Sequence, residues 1–464
     1  MKKIYLILLF LSLMSFALLP AQTISHVNES GNLIVEGEAF LPLGFYSEYI
    51  FVPNYPSLIP DMVAGGFNTL VTATHVIDTA TYQNFLESCN SAGLKNIIVL
   101  PHFSDEPLRF HNYIEALKPN PSVIMWNLLY NADDYDLEFL QMQKQQLLER
   151  DQSRVVTADF NRIDPPFQYM LDVLETSCMS QSPWAYPWNP SVDLETVTYR
   201  YRFHAIKAKE KGVFPMIIPQ AFNWEENNWP SPEHLDCQTY LGYITGNKGV
   251  LFYTFPDAET GTTINISHPE LYAAASNIAI EILQSEWKEV ILHGEYSYHN
   301  IFKYKHYATW RYNNSLYLIA ANASHDQTYS YEIPLPADVI GEAENFFDHR
   351  PNSLNIQNGM LTGDLEPYQI AIYKMEMQPT GINILPSQLQ IQAAPNPTNG
   401  IFSLTGTKGI VHCKIYNAMG QCVFQKSGNL ENEPLNIGFL NRGVYYIEVE
   451  GLNKSYQTLK IVKK

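Results

Sequence analysis

Six carboxylates sit where a chain of alternating strands and helices would bring them to a common rim: Asp133, Asp134, Glu175, Glu225, Glu226 and Asp257. Two carboxyls flanking one bond are what glycosidic cleavage requires, one as acid and the other as base or nucleophile. Asp133, then Asp134, is the expected acid, because both closely follow the apolar run Val123-Ile124-Met125-Trp126. Glu225 is the expected partner and Asp257 the reserve. The same residue types have a plainer use. Aspartate at a helix start stabilises the helix by about 1 kcal/mol, and Glu225 and Glu226 also suit a solvated loop.

Aromatic and amide side chains crowd the same loops. Tyr46, Trp184, Tyr186, Trp188, Trp224 and Trp229 would offer ring faces for stacking on a pyranose, or would pack the loops together. His75, His102, Asn131 and Gln220 would hydrogen-bond sugar hydroxyls. No HxH or HxxxH spacing accompanies the histidines, so no metal is expected. No phosphate-binding glycine turn, GxSxG or Cys-His arrangement appears either, and no cofactor is expected.

The elements that must position these groups alternate over about 260 residues. Strands are expected at 41–46, 67–72, 96–100, 123–128, 154–158, 171–176, 213–219 and 249–253. Helices are expected at 57–65, 78–93, 108–117, 134–150, 190–212, 230–245 and 268–291, with a short, poorly helical link between strands five and six. Gly93 and Gly212 stand where helices should stop. Eight such alternations fit a (β/α)8 barrel over residues 22–292. An open doubly wound sheet is the alternative, but Leu43-Gly44-Phe45-Tyr46 lacks its glycine-rich turn. From 296 to 377 the period falls to two, as in a small antiparallel β-sandwich. Residues 378–388 read as a linker, and 389–464 as a second β-sandwich, about the size for seven strands.

The net charge of −18 argues against a nucleic-acid partner. Charge is also uneven: from Leu389 onward eight Lys/Arg face four Glu, a net +4, so the remainder carries −22. Five cysteines without a CxxC pair argue against a disulfide framework. Residues 1–21 read as a secretory signal, with Lys2 and Lys3 before the apolar run 4–19. No later stretch is long and apolar enough to span a bilayer, so no transmembrane span is expected after signal cleavage.

Two resemblances add to this reading. The last module has Asn396-Pro397, a hairpin around Gly420, Leu440-Asn441-Arg442-Gly443-Val444-Tyr445 and a basic end at Lys460–Lys464. In these it resembles the C-terminal sorting domain of type IX secretion substrates. That implies handling by the type IX machinery and a secreted or outer-membrane surface location. The central region resembles glycoside-hydrolase-like barrels. Gly37–Tyr46 is similar to their opening strand, Pro121–Trp126 to their fourth, and Pro219–Phe222 with Pro230–Glu233 to their seventh strand and helix. This implies carbohydrate as the partner, and either hydrolysis of a poly- or oligosaccharide or a catalytically inactive barrel that binds glycan. A purely structural surface protein is the third reading. The departures lie at the chemistry. Tyr130 and Asn131 stand where such families carry Asp-Glu or Asn-Glu, and Gln220 stands where retaining enzymes carry Glu.

Overall fold

The computed structural model describes residues 24–47, 57–73, 78–160, 177–180, 194–223, 229–257, 259–378, 392–405, 410–417, 422–428, 430, 433–451 and 456–464. It divides into two compact units, Met1–Met377 and Gln378–Lys464. In the first, three short antiparallel strands come first: β1 (Ser25–Val27), β2 (Leu33–Val35) and β3 (Glu38–Ala39). A curled parallel sheet follows. Its strands are β4 (Leu43–Tyr46), β5 (Thr69–Ala73), β6 (Lys95–Val99), β7 (Val123–Asn127), β8 (Val155–Thr157), β9 (Asp159–Phe160), β10 (Ser177–Ser180), β11 (Phe214–Ile217) and β12 (Gly249–Phe252).

β8 and β9 are one strand in space, broken only at Ala158. Its first half pairs with β7 through Met125↔Val155, Trp126↔Val156 and Asn127↔Thr157. Its second half pairs with β10 through Met179↔Asp159 and Ser180↔Phe160. The sheet therefore closes into a ring of eight, a (β/α)8 barrel. Strand six is Ser177–Ser180, later than the 171–176 expected, and residues 171–176 lie outside the described part.

Wherever their side chains are described, the strands are buried on both faces, yet a period of two survives within them. Val71, Ile97, Val99, Met216, Ile218 and Leu251 pack together inside the barrel with Leu33 and Val35 of the opening hairpin. Leu70, Ile98, Trp126, Ile217 and Phe252 face the helices. Ser25 couples the hairpin to the barrel by donating to the Ile124 carbonyl (2.5 Å) and accepting from the Val155 amide (2.9 Å). Gly44 is required where strands one and two meet, since a Cβ there would lie 1.6 Å from the Thr69 carbonyl oxygen.

The helices are α1 (Leu58–Ala64), α2 (Thr79–Ser91), α3 (Pro107–Leu117), α4 (Leu137–Leu148), α5 (Glu195–Lys211), α6 (Pro232–Ile244), α7 (Ile264–Ser267), α8 (Pro269–Leu283) and α9 (Trp287–His293). Asp78 caps α2, and Ser231 followed by Pro232 starts α6. Gly212 ends α5 at φ +67°. The helix expected from 134 begins instead at Leu137, and Asp136 caps it by accepting from the Phe139 amide at 2.7 Å. The helix expected over 268–291 is two, α8 and α9, separated at residues 284–286.

Two sheets complete the first unit. One is β15 (Glu295–Phe302), β16 (Lys305–Tyr312), β17 (Ser315–Asn322), β22 (Ile370–Met377) and β19 (Val339–Asn345) in that spatial order. The other is β18 (Tyr329–Pro334), β21 (Met360–Leu365) and β20 (Leu354–Gln357). Their inner faces enclose Leu318, Tyr331, Ile333, Leu361 and Tyr373. The outer face of the larger sheet shares one core with the barrel helices through Trp287, Trp310, Tyr317 and Ile319. Arg350 joins the same two layers, with Glu281 of α8 at 2.6 Å and Asp236 of α6 at 2.8 Å.

Among the described residues the second unit has seven strands. β23 (Gln392–Ala394), β24 (Ile401–Thr405) and β27 (Pro434–Asn436) form one sheet. β26 (Cys422–Ser427), β25 (Ile410–Tyr416), β28 (Gly443–Gly451) and β29 (Tyr456–Lys463) form the other. Phe402, Leu404, Ile415, Ile447 and Ile461 fill the space between them. Asn396 ties the start of the module to its end, donating to the Lys460 carbonyl (2.7 Å) and accepting from the Val462 amide (3.0 Å).

Candidate functional site at the barrel mouth

Inward-facing residues at the carboxyl ends of the strands build the mouth, the place where barrels of this kind present their chemistry. The alternation that turns Val155 and Thr157 inward also turns Asp159 inward. Asp159 is 0% exposed. Buried carboxylates demand hydrogen-bond donors in place of water, and neighbouring strands supply them. The Tyr46 hydroxyl donates to Oδ2 at 2.8 Å, and Asn127 Nδ2 donates to Oδ1 at 2.9 Å. The Asn127 amide is itself fixed, because its oxygen accepts from the Leu129 amide at 3.2 Å. A carboxylate from strand five is thus held between side chains from strands one and four.

A row of rings crosses the same mouth. The Tyr46 ring lies 6.3 Å from Tyr130 and 5.4 Å from Tyr253, and Tyr253 lies 5.2 Å from Phe222. The backbones of Gln220 and Tyr253 bridge strands seven and eight. Tyr130, Tyr253 and Phe222 are half-buried, leaving part of each ring uncovered. The Gln220 side chain donates to the Phe222 carbonyl at 2.9 Å, and its buried Oε1 has no partner.

The expected site residues that are described divide into three groups. Tyr46 and Gln220 belong to this floor. Asn131 takes left-handed dihedrals, φ 46° and ψ 52°, and opens a 3-10 turn over Ala132–Asp134 that lies against β9. Asp133 and Asp134 are in that turn; Asp134 is exposed, and the Asp133 side chain lies outside the described residues. His102, Trp229 and Asp257 sit in flanking clusters. His102 Nδ1 is 3.3 Å from Asp105 Oδ2, its Nε2 is 3.3 Å from the Tyr135 hydroxyl, and its ring edge meets Tyr135 and Phe139. Trp229 stacks on His268 with ring centres 3.7 Å apart.

Asp257 is turned into its own loop, accepting from the Glu259 and Thr260 amides and from the Thr260 hydroxyl at 2.7 Å. Burial works against its charge, but the bonds from Thr260 and Ser267 outweigh it and hold the carboxyl below the usual range. This aspartate shapes the loop between the short strands β13 (Pro256–Asp257) and β14 (Thr262–Thr263). His75, Glu175, Trp184, Tyr186, Trp188, Trp224, Glu225 and Glu226 lie outside the described residues.

Sequence reasoning missed Asp159, Asn127, Tyr253 and Phe222. The signal for Asp159 was present, since one more step of the alternation through Val155 and Thr157 reaches it. Trp126, the landmark of strand four, faces outward and donates its indole N–H to Asp151 at 2.8 Å, beneath the helices.

Comparison with known proteins agrees with this architecture. Residues 392–464 match the secretion system C-terminal sorting domain. Such a tail marks a chain for type IX secretion to the cell surface or the outside. No curated protein matches the chain significantly. Among solved structures, an α-amylase from Geobacillus thermoleovorans, complexed with acarbose, superposes with a TM-score of 0.53 at 8% identity, over 73% of this chain and 98% of that one. A γ-CGTase from alkalophilic Bacillus clarkii gives 0.53 at 8% identity, over 95% of this chain and 84% of that one. At such identities the likeness is one of fold, a barrel followed by β domains. Among the described residues no helix is long and apolar enough to cross a membrane.

Proposed function

We propose that this chain, sent out of the cell by its sorting tail, binds a poly- or oligosaccharide at the barrel mouth. Residues 1–21 act as its secretory signal. The observation that carries the reading is the ring row Tyr130–Tyr46–Tyr253–Phe222 around the fixed Asp159 carboxylate. Flat apolar faces stack on sugar rings, and Tyr130, Tyr253 and Phe222 offer theirs part-uncovered while the buried Asp159 carboxylate fixes Tyr46 among them. Asn127 and Gln220, at the ends of strands four and seven, are amides. They hydrogen-bond without transferring protons, which favours binding over cleavage at those two positions.

Glycan screening of the secreted protein tests the reading. Native protein should bind at least one neutral polysaccharide, and Tyr253→Ala should weaken that binding by about tenfold, the equivalent of roughly 1.4 kcal/mol. Absence of binding to any glycan, or unchanged binding by Tyr253→Ala, would overturn it.

Hydrolysis is the second reading, and Asp159 itself favours it. The residue is a carboxylate at the carboxyl end of a barrel strand, and cleavage requires a pair of carboxyls there. An acid from Asp133, Asp134 or Glu225 would complete the pair. Release of new reducing ends by native protein, lost in Asp159→Asn, would establish it.

A further inference from the structure

On the barrel face opposite the mouth, where β11 and β12 begin, a cleft of about 1370 Å³ opens between α5, the β1–β2 turn and β15. Three cations line it. Arg202 donates to the Thr245 carbonyl (3.1 Å) and the Tyr296 hydroxyl (3.2 Å), with its guanidinium 4.4 Å from the Tyr298 ring centre. Lys248 donates to the Gly31 carbonyl (3.2 Å) and to the Asn32 amide oxygen. Lys209 is exposed at the cleft edge. None of the three has a carboxylate partner among the described residues. Cations elsewhere in this unit do: Lys95, Arg311, Arg350 and Lys374 each lie within 3.1 Å of one.

The acids of the cleft do not neutralise them. Glu210 is held by Lys207 at 2.8 Å, Glu295 neighbours Arg311, and Glu29 is exposed on the turn. Burial, and then the nearby Lys209 charge, lower the Lys248 ammonium to about 8. Two cations that feel one another with no anion between them gain when one arrives. The net −22 of the chain outside its tail opposes anions at long range, but screening confines that field to about 10 Å.

We propose that this cleft is a second binding site, distinct from the mouth, for an anionic saccharide held through its carboxylate, sulfate or phosphate by Lys248, Lys209 and Arg202. The volume sets the size of the ligand, since it far exceeds a bare oxyanion and suits several sugar units. The polar donors of Arg202 and Lys248 are already oriented by neutral acceptors, so little order is lost on binding.

Calorimetric titration of the full-length protein at low salt tests the proposal, with an oligogalacturonate, a sulfated oligosaccharide of equal length, a neutral oligosaccharide and inorganic phosphate as probes. One acidic oligomer at least should bind, and whichever binds tighter identifies the anion's source. Its affinity should fall at least tenfold in Lys248→Gln and in Lys209→Gln, and should fall as salt rises. Lys209 is exposed, so that variant separates lost binding from lost folding. Tyr253→Ala, at the mouth, should leave acidic binding unchanged, so failure here and failure of the mouth reading are told apart. The proposal is overturned if no acidic oligomer binds, if Lys209→Gln binds as the native protein does, if Tyr253→Ala abolishes binding, or if phosphate alone binds as tightly.

Discussion

Asp159 accepts from Tyr46 and Asn127, and the first contact makes Tyr46 the informative residue to change. Tyr46→Phe keeps the ring in its row but removes one hydrogen bond to a buried charge. Stability should fall by about 1–3 kcal/mol, read as a shift in the urea midpoint; an unchanged midpoint would show that the 2.8 Å contact contributes nothing. Tyr46 was legible in the sequence because it ends a strand at the opening of the barrel. Asp159 was legible only by carrying the alternation of Val155 and Thr157 one step further, past the expected end of the strand at Ala158. Asp257 was legible as a mouth residue, but nothing in the sequence told that Thr260 and two backbone amides would occupy its oxygens.

Between elements, the joint of barrel and sandwich rests on a charged knot, and two histidines are buried in the helices beside the strands. Arg350→Ala would leave Glu281, 3% exposed, without its cation. A loss of about 3–5 kcal/mol in unfolding free energy is expected, and a loss below 1 kcal/mol would mean that water or His349 compensates. His204 of α5 and His234 of α6 are fully buried. Burial lowers the first to about 4, despite its bond to Asn247, and the second to about 3. An unfolded histidine titrates near 6.5. Below that pH the unfolded chain takes up protons that the folded chain refuses. Stability should therefore be full above about pH 6.5 and fall as pH drops toward about 4, by up to about 1.4 kcal/mol per unit for each histidine. Urea midpoints across this range should show the slope, and His234→Phe should flatten it; an equal slope in the variant would exclude His234 as a source.

Most of the strands and helices were legible from periodicity and caps. The doubled strand β8–β9 was not, because pairing with two different neighbours leaves no mark on a six-residue run. Nor was the 3-10 turn at Ala132–Asp134, since two consecutive aspartates look the same at a helix cap and one turn before it.

At the scale of the whole chain, the sorting tail marks the protein for export, and the net charge outside the tail disfavours anionic ligands at low salt. Deleting residues 392–464 should leave the protein in the periplasm of a host with a type IX system, as followed by immunoblot of cell fractions; normal surface or medium levels would refute the role of the tail. Neutral glycans should bind the mouth more tightly than uronic or sulfated ones at low salt, because −22 charges lie outside the tail. Tighter capture of polyanions by a Lys209→Gln, Lys248→Gln double variant than of neutral polymers would contradict this.

The broken fifth strand carries a consequence for how such a molecule opens. Val155–Thr157 and Asp159–Phe160 fasten the ring on opposite sides, and Asp159 is the residue its neighbours grip from within. Separating β9 from β10 would undo the seam of the cylinder and the floor of the mouth in a single event. The amide protons of Met179–Ser180 and of Met125–Asn127 should then exchange with solvent as one cooperative group. A sugar bound across the Tyr130, Tyr253 and Phe222 rings above this seam should slow them together, acting as a clasp on the cylinder.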